Sequence, residues 1–276
     1  MTRKSMYRPT TLGAAAALGL SLAVLPLAPA HAVTFVPCGN VTALRNAITQ
    51  SNTTNENITL APFCTYTVAT SVGASNGLPA VTGSFIVSGY NTTIARSTAA
   101  GTPDFRLFAV ESGGDLTLNS VHVRFGNVPG DEGGGVLVTD AGSTLTVNSG
   151  SVRDNTAGSG GGIRLRSGAS ASLNNAVVSG NQASGSGGGI SHAGASLTVN
   201  YSRITGNTAG ADGGGLVTTA PAVATLAASQ VTGNTAASGG GIFEGSGSQV
   251  TVLATGVTGN TPDNCSPTGA VPGCTG

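Results

Sequence analysis

The sequence predicts an all-β fold, a right-handed parallel β-helix (solenoid) of about eight coils with three strands each, and three observations carry that prediction. Glycine triplets recur at Gly133 to Gly135, Gly160 to Gly162, Gly187 to Gly189, Gly213 to Gly215 and Gly239 to Gly241, their first residues 27, 27, 26 and 26 apart. A fixed period of this size marks a repeat architecture. Three apolar rows keep their phase between the triplets: Val136, Ile163, Ile190, Leu216 and Ile242; then Val147, Leu173, Val199, Leu226 and Val252; then Val152, Val178, Ile204, Val231 and Val257. Each apolar stretch is three to five residues long, rich in Val, Ile and Thr, and bounded by Gly, Ser, Asn or Asp. That suits short strands and leaves no room for helices. Strands repeating at this period pair with their equivalents one coil above and below, and crossover handedness makes the coil right-handed.

The elements follow in chain order. Arg3, Lys4 and Arg8, the apolar stretch Leu12 to Leu25 and the small-residue site Ala30-His31-Ala32 are expected to form a signal peptide over 1–32, cleaved before Val33. Pro26 and Pro29 interrupt the stretch before it reaches spanning length, so no membrane span is expected after cleavage. Residues 33–276 then form one domain, with a cap and first coil over 33–68, coils over 69–260 and a closing cap over 261–276. Val41, Leu44, Ala47 and Ile48 give one apolar face to a short helix that plugs the open bore. Ile58 to Leu60, Tyr66 to Val68, Ser84 to Ser88, Thr92 to Ala95 and Phe105 to Val110 read as the strands of less regular early coils. Export places Cys38, Cys64, Cys265 and Cys274 where disulfides persist. Of the possible pairings, only Cys38 with Cys64 and Cys265 with Cys274 avoid bridging the whole rod, and each would lock an end. Metal binding is the rival reading; no His lies near either pair and the spacings suit no common zinc site.

Three residues after each member of the third apolar row stands an asparagine: Asn155, Asn181, Asn207, Asn234 and Asn260, with Asn127 as a looser earlier copy. Stacked, these are expected to form an amide ladder. Gly180, Gly206, Gly233 and Gly259 precede four of them, where a sharp corner favours a residue without a β-carbon, and Asp154 replaces that glycine once. The triplet followed by Ile, Val or Leu, with corners such as Ile204-Thr-Gly-Asn-Thr-Ala209, resembles the GGA[ILV] and FxxN repeats of polymorphic outer membrane proteins, with Val or Ile where that family carries Phe. Those repeats belong to the pectin-lyase-like right-handed β-helix superfamily, and the resemblance covers roughly Ser84 to Asn260. It implies a β-helix, and it implies two functional settings: adhesin-like passengers and enzymes that attack polysaccharides.

Composition limits the function. Of 276 residues, 44 are Gly and 8% are charged, with 11 basic and 11 acidic side chains, so there is no basic stripe for nucleic acid and no polybasic patch for anionic membrane. Twelve charged residues fall between Asp104 and Arg166. Within that stretch Asp131, Glu132, Arg153, Asp154, Arg164 and Arg166 are the candidate site residues, since lyases need calcium-binding carboxylates with a basic residue and hydrolases need paired carboxylates. The alternative is pairing of these charges across adjacent coils as surface salt bridges. Arg164 and Arg166 flank Leu165 on one outer face, whereas Arg153 and Asp154 lie on the wall of the third apolar row. His122 and His192 fall in different coils. No cofactor and no metal is expected. Sugar binding would call on Tyr90, Tyr201 and Phe243. Thr205, Thr232 and Thr258, with Thr156, Thr208, Thr235 and Thr261, form hydroxyl rows that point to ice binding as a minor reading. The leading expectation is a secreted, extracellular, non-catalytic scaffold or adhesion module, loosely surface-associated and contacting polysaccharide or cell-surface components. The alternative is a polysaccharide lyase or glycoside hydrolase acting on an acidic polysaccharide.

Overall fold

The computed structural model describes residues 1–2 and 33–274. The expected signal peptide lies, apart from its first two residues, outside the described residues. From Val33 onward the chain winds as a parallel β-solenoid. Ile163 stands beside Ile190, and Ile190 beside Leu216, so equivalent positions of successive repeats are hydrogen-bonded neighbours.

Each apolar row builds one wall. The first wall stacks Phe108–Val110, Val136–Val138, Ile163–Leu165, Ile190–His192, Leu216–Thr218, Ile242–Glu244 and Cys265–Ser266. The second wall runs through Thr144–Asn148, Ser170–Asn174, Ser196–Asn200, Val223–Ala227 and Gln249–Leu253, and the third through Ser151–Arg153, Val177–Ser179, Arg203–Thr205, Gln230–Thr232 and Gly256–Thr258. In the earlier coils single strands turn the corner between these two walls: Ser84–Arg96, expected as two strands, and Asp115–Arg124. Alternation sends one set of side chains inward. In one coil Ile163, Leu165 and Leu173 are fully buried and Val178 nearly so, each contributing roughly 1.5–3 kcal/mol by leaving water.

The second wall holds nine stacked strands among the described residues, so the rod has about nine coils where the sequence suggests eight. The addition is Val33–Val36, which pairs in parallel with Asn57–Leu60. It precedes the repeats and has no periodic partner to reveal it. The helix Val41–Thr54 connects these two strands; Asn40 caps it by accepting from the Ala43 N–H at 2.9 Å, and Leu44, Ala47 and Ile48 join the core. In four of the coils a fourth strand, two to six residues long, has no counterpart in the sequence pattern: Asn127–Glu132, Thr156–Ser159, Gln182–Ala183 and Thr208–Ala209 form their own sheet. These segments are mostly small and polar, with no apolar alternation to mark them.

The asparagine ladder forms in the bore. Asn155, Asn181 and Asn207 each donate Nδ2 to the Oδ1 of the next asparagine at 2.9 Å, and Asn234 donates to Asn260 at the same distance. The same Oδ1 accepts the backbone N–H of the asparagine before it, and each Nδ2 also reaches a third-wall carbonyl, as Asn207 does to Val178 O at 3.0 Å. The ends are closed as well: Gly126 N–H donates to Asn155 Oδ1, and Asn260 donates to Asn264. Asn127 is not a rung. Register places Gly126 opposite Asn155 by extension from Arg124 and Arg153, and the Asn127 side chain donates to Asp104 instead.

The glycine triplets are required by this packing. Gly187 turns with φ +72°, a β-carbon on Gly188 would lie 2.4 Å from Thr208 O, and one on Gly189 would lie 2.6 Å from Gly215 O. A side chain there would push two coils apart. Cys38–Cys64 and Cys265–Cys274 are disulfide-bonded near the two ends, which fits an oxidising environment. Among the described residues no helix is long and apolar enough to cross a membrane.

Removing one rung should show its value. Asn207→Ala strands the Asn181 backbone N–H in the core, at roughly 1–3 kcal/mol for a buried unpaired group, and removes one of the bonds that Val178 O accepts. Urea denaturation should therefore give a loss of about 2 kcal/mol or more for Asn207→Ala, and under about 1 kcal/mol for the half-buried Asn200→Ala, whose side chain makes one bond to Asn174.

Candidate functional site

The fold divides the predicted site residues into two groups. Asp131, Glu132, Arg164 and Arg166 meet on the outside of the first wall, while Arg153 and Asp154 sit on and just after the third. The division follows from strand alternation and coil order. Ile163 and Leu165 point inward and leave Arg164 outside, Arg166 continues the strand, and the segment Asn127–Glu132 brings its two carboxylates alongside from the preceding coil.

In the first group Glu132 Oε2 accepts from Arg166 Nε at 2.6 Å and lies 3.4 Å from Arg164 Nε. Arg164 also donates to Ser191 Oγ. Arg106, which is not among the candidate residues the sequence offers, is the most buried cation of the cluster, with 4% of its side chain exposed. It donates to Asp131 Oδ2 and to Ser75 O. Burial pushes the Arg106 pKa below its ordinary value, against the opposing pull of Asp131. Burial raises that of Asp131, but the Glu132 backbone N–H, the Arg106 charge and side-chain hydrogen bonds outweigh it and hold the carboxyl below its usual range. The signal that could have found Arg106 was its place two residues before a first-wall strand, where alternation aligns it with the inward series. An open groove of about 280 Å³ lies over this cluster, lined by Ser75, Asn76, Arg106, Glu111, Asp131 and Arg166.

On the third wall Arg124 pairs with Asp154 at 2.6 Å across adjacent coils. Asp154 occupies the left-handed corner with φ 57°, the position glycine holds in later coils. Arg153 Nε donates to Ser151 Oγ at 3.1 Å, and Ser151 Oγ lies 2.9 Å from His122 Nδ1. His122 Nε2 faces Asn91 Oδ1 at 3.2 Å, so Nε2 carries the proton and Nδ1 accepts from the serine. The chain of contacts looks like a nucleophile with its base. Ser151 is only 1% exposed, however, so a substrate carbonyl has no approach to its hydroxyl.

His192 is a core residue of the first wall. Its Nε2 donates to Val223 O at 3.1 Å and its Nδ1 accepts from Gly194 N–H; burial lowers its pKa, with the Val223 bond opposing, and it stays neutral. Among the described residues no three His, Cys, Asp or Glu side chains converge as metal ligands. The first-wall groove therefore offers hydrogen-bonding guanidinium and carboxylate groups in fixed positions, with each arginine already facing an acid.

Asp131→Asn should leave the Arg106 charge without its partner. A fully buried pair broken this way costs about 3–5 kcal/mol; Asp131 is 38% exposed, so about 2–3 kcal/mol is expected in urea denaturation. The double variant Arg106→Met, Asp131→Asn should recover most of it. Because the folded pKa of Asp131 lies below its unfolded value, the difference between the native protein and Asp131→Asn should be full above about pH 4 and fade as pH falls through the lowered pKa. Compared with models of known protein families, with curated proteins and with solved structures, the chain matches none of them.

Proposed function

We propose that this chain is a non-catalytic, right-handed β-helix scaffold that works outside the cell as an adhesion or surface-interaction module. The observation that carries this reading is the outer face of the second wall. Thr117, Thr146, Ser172, Thr198, Thr225 and Thr251 stand in register along it, flanked by a second column that includes Thr144, Ser170 and Ser196 and by a third that includes Asn148, Asn174 and Asn200. Spacing along each column is that of the coils, ~4.8 Å. Beyond Asp115, which heads the second column and accepts from Thr144, a long array of hydroxyls and amides suits contact with a neutral, extended partner such as extracellular polysaccharide. The two disulfides favour an exported protein, and the glycine-triplet and corner pattern favours kinship with the repeats of polymorphic outer membrane proteins within the pectin-lyase-like superfamily.

Attack on an acidic polysaccharide is less well supported. The carboxylates of the candidate cluster face arginines across or within coils, an arrangement that lowers surface charge without leaving a base beside an acid. Ice binding is a second reading, favoured by the hydroxyl column of the second wall more than by the third-wall threonines, where Thr232 spends its hydroxyl on Thr205 at 3.3 Å.

One set of assays separates these roles. Incubation of the purified protein with pectate and alginate, with and without calcium, should release no unsaturated ends and no reducing sugars, and ice grown in its presence should keep its ordinary shape. Turnover that disappears in Arg164→Ala or Asp154→Ala would replace the scaffold with an enzyme, and faceted ice would favour the second reading.

A further inference from the structure

The corner between the second and third walls needs one residue in the left-handed region in every coil. Register stacks these residues in one column: Phe63, Asn91, Ser120, Ser149, Asn175, Tyr201, Ala228 and Ala254, with φ between 48° and 53°. Asparagine visits that conformation more readily than most residues, but a bulky aromatic there is an outlier. Phe63 has a visible partner, its ring meeting Tyr90 edge-on at 5.1 Å. Tyr201 has none: 71% of it is exposed, and its ring and hydroxyl make no contact of this kind among the described residues. Neither packing nor backbone preference explains a strained, exposed aromatic, and strain of this kind concentrates at functional sites.

What surrounds Tyr201 gives it a use. It borders a groove of about 390 Å³ lined by the exposed Asn175, Arg203 and Gln230 and by the buried small residues Ala176 and Ser202. The side chains of Asn175, Arg203 and Gln230 are exposed and make no hydrogen bond or ion pair among the described residues. One aromatic face ringed by unspent amide donors and acceptors and a guanidinium matches a pyranose ring, which presents a C–H face and a circle of hydroxyls. Along the same corner Asn175, Ser149, Ser120 and Asn91 lead from Tyr201 to the exposed Tyr90–Phe63 pair, Tyr90 four coils away and Phe63 five, or ~19 and ~24 Å at ~4.8 Å per coil.

We infer that this corner is a glycan-binding rim, on which a neutral polysaccharide lies along the rod axis with one pyranose stacked on Tyr201 and another on the Tyr90–Phe63 pair. Hydroxyls of the first sugar bond to Asn175, Gln230 and Arg203. The inference rests on the non-catalytic surface-binding role proposed above and names its partner.

Calorimetric titration with cellohexaose, xylohexaose and hexagalacturonate tests it. The protein should bind a neutral hexasaccharide, with affinity falling at least tenfold in Tyr201→Ala, comparably in Tyr90→Ala, and several-fold in Arg203→Gln. Tyr201→Ala removes an exposed ring and leaves the residue that Ala228 and Ala254 place at the same corner, so its thermal midpoint should not fall, which separates lost binding from lost folding. Neutral binding undiminished in Tyr201→Ala overturns the corner assignment and leaves the surface-binding role standing. Preference for the galacturonate, or no binding to any of the three, overturns the neutral-glycan rim. Appearance of shortened oligosaccharides during the titration overturns the non-catalytic role itself.

Discussion

The solenoid rests on a column of buried amides that only identical residues in identical register can complete. A corner leading into the bore leaves backbone groups with no water to bond, and an unpaired buried N–H or C=O is costly. Asn181, Asn207 and Asn234 each answer that need for the coil beside them, accepting from one backbone N–H and donating both to a carbonyl and to the next asparagine. Any change in coil length moves a rung out of line. This explains why the repeat holds to 26 or 27 residues in the later coils, and why the triplets allow no β-carbon between one coil and the next.

The same constraint distributes function over the surface. Inward positions are fixed by packing, and variation is left to the outward columns and the corners. Charge gathers on the middle coils, where Arg106, Arg124, Arg164 and Arg166 bridge to acids mostly on neighbouring coils. The later coils carry few charges and present hydroxyls and amides instead. At the corner between the second and third walls a left-handed residue is obligatory but its side chain is free, which is where an aromatic can be displayed without disturbing the stack.

Much of this was legible in the sequence because a solenoid turns spacing along the chain into adjacency in space. The triplets, the apolar rows, the ladder from Asn155 to Asn260 and both disulfides follow from the period and from the ends of the rod. The strand Val33–Val36 was not legible, since it precedes the repeats. The short strands beginning at Thr156, Gln182 and Thr208 lack apolar alternation. Asn127 lies four residues after Val123, the register partner of Val152, whereas each rung lies three after its own third-row residue, so Gly126 holds the place. Of the candidate site, the pairing of Glu132 with Arg164 and Arg166 could be foreseen as charge opposite charge, whereas the burial of Arg106 depends on irregular early coils. The left-handed column containing Tyr201 has no sequence signature, because asparagine, serine, alanine and aromatics all occupy it.

Register is what the structure depends on, and excising one whole repeat tests it directly. Deleting residues 182–207 removes 26 residues from one ladder asparagine to the next and lets Asn181 meet Asn234. Thermal unfolding of this shortened protein should remain a single sharp transition, whereas deletion of 13 residues from the same point should abolish it. Loss of cooperative unfolding on removing the full repeat, or its survival on removing the half, would contradict the account.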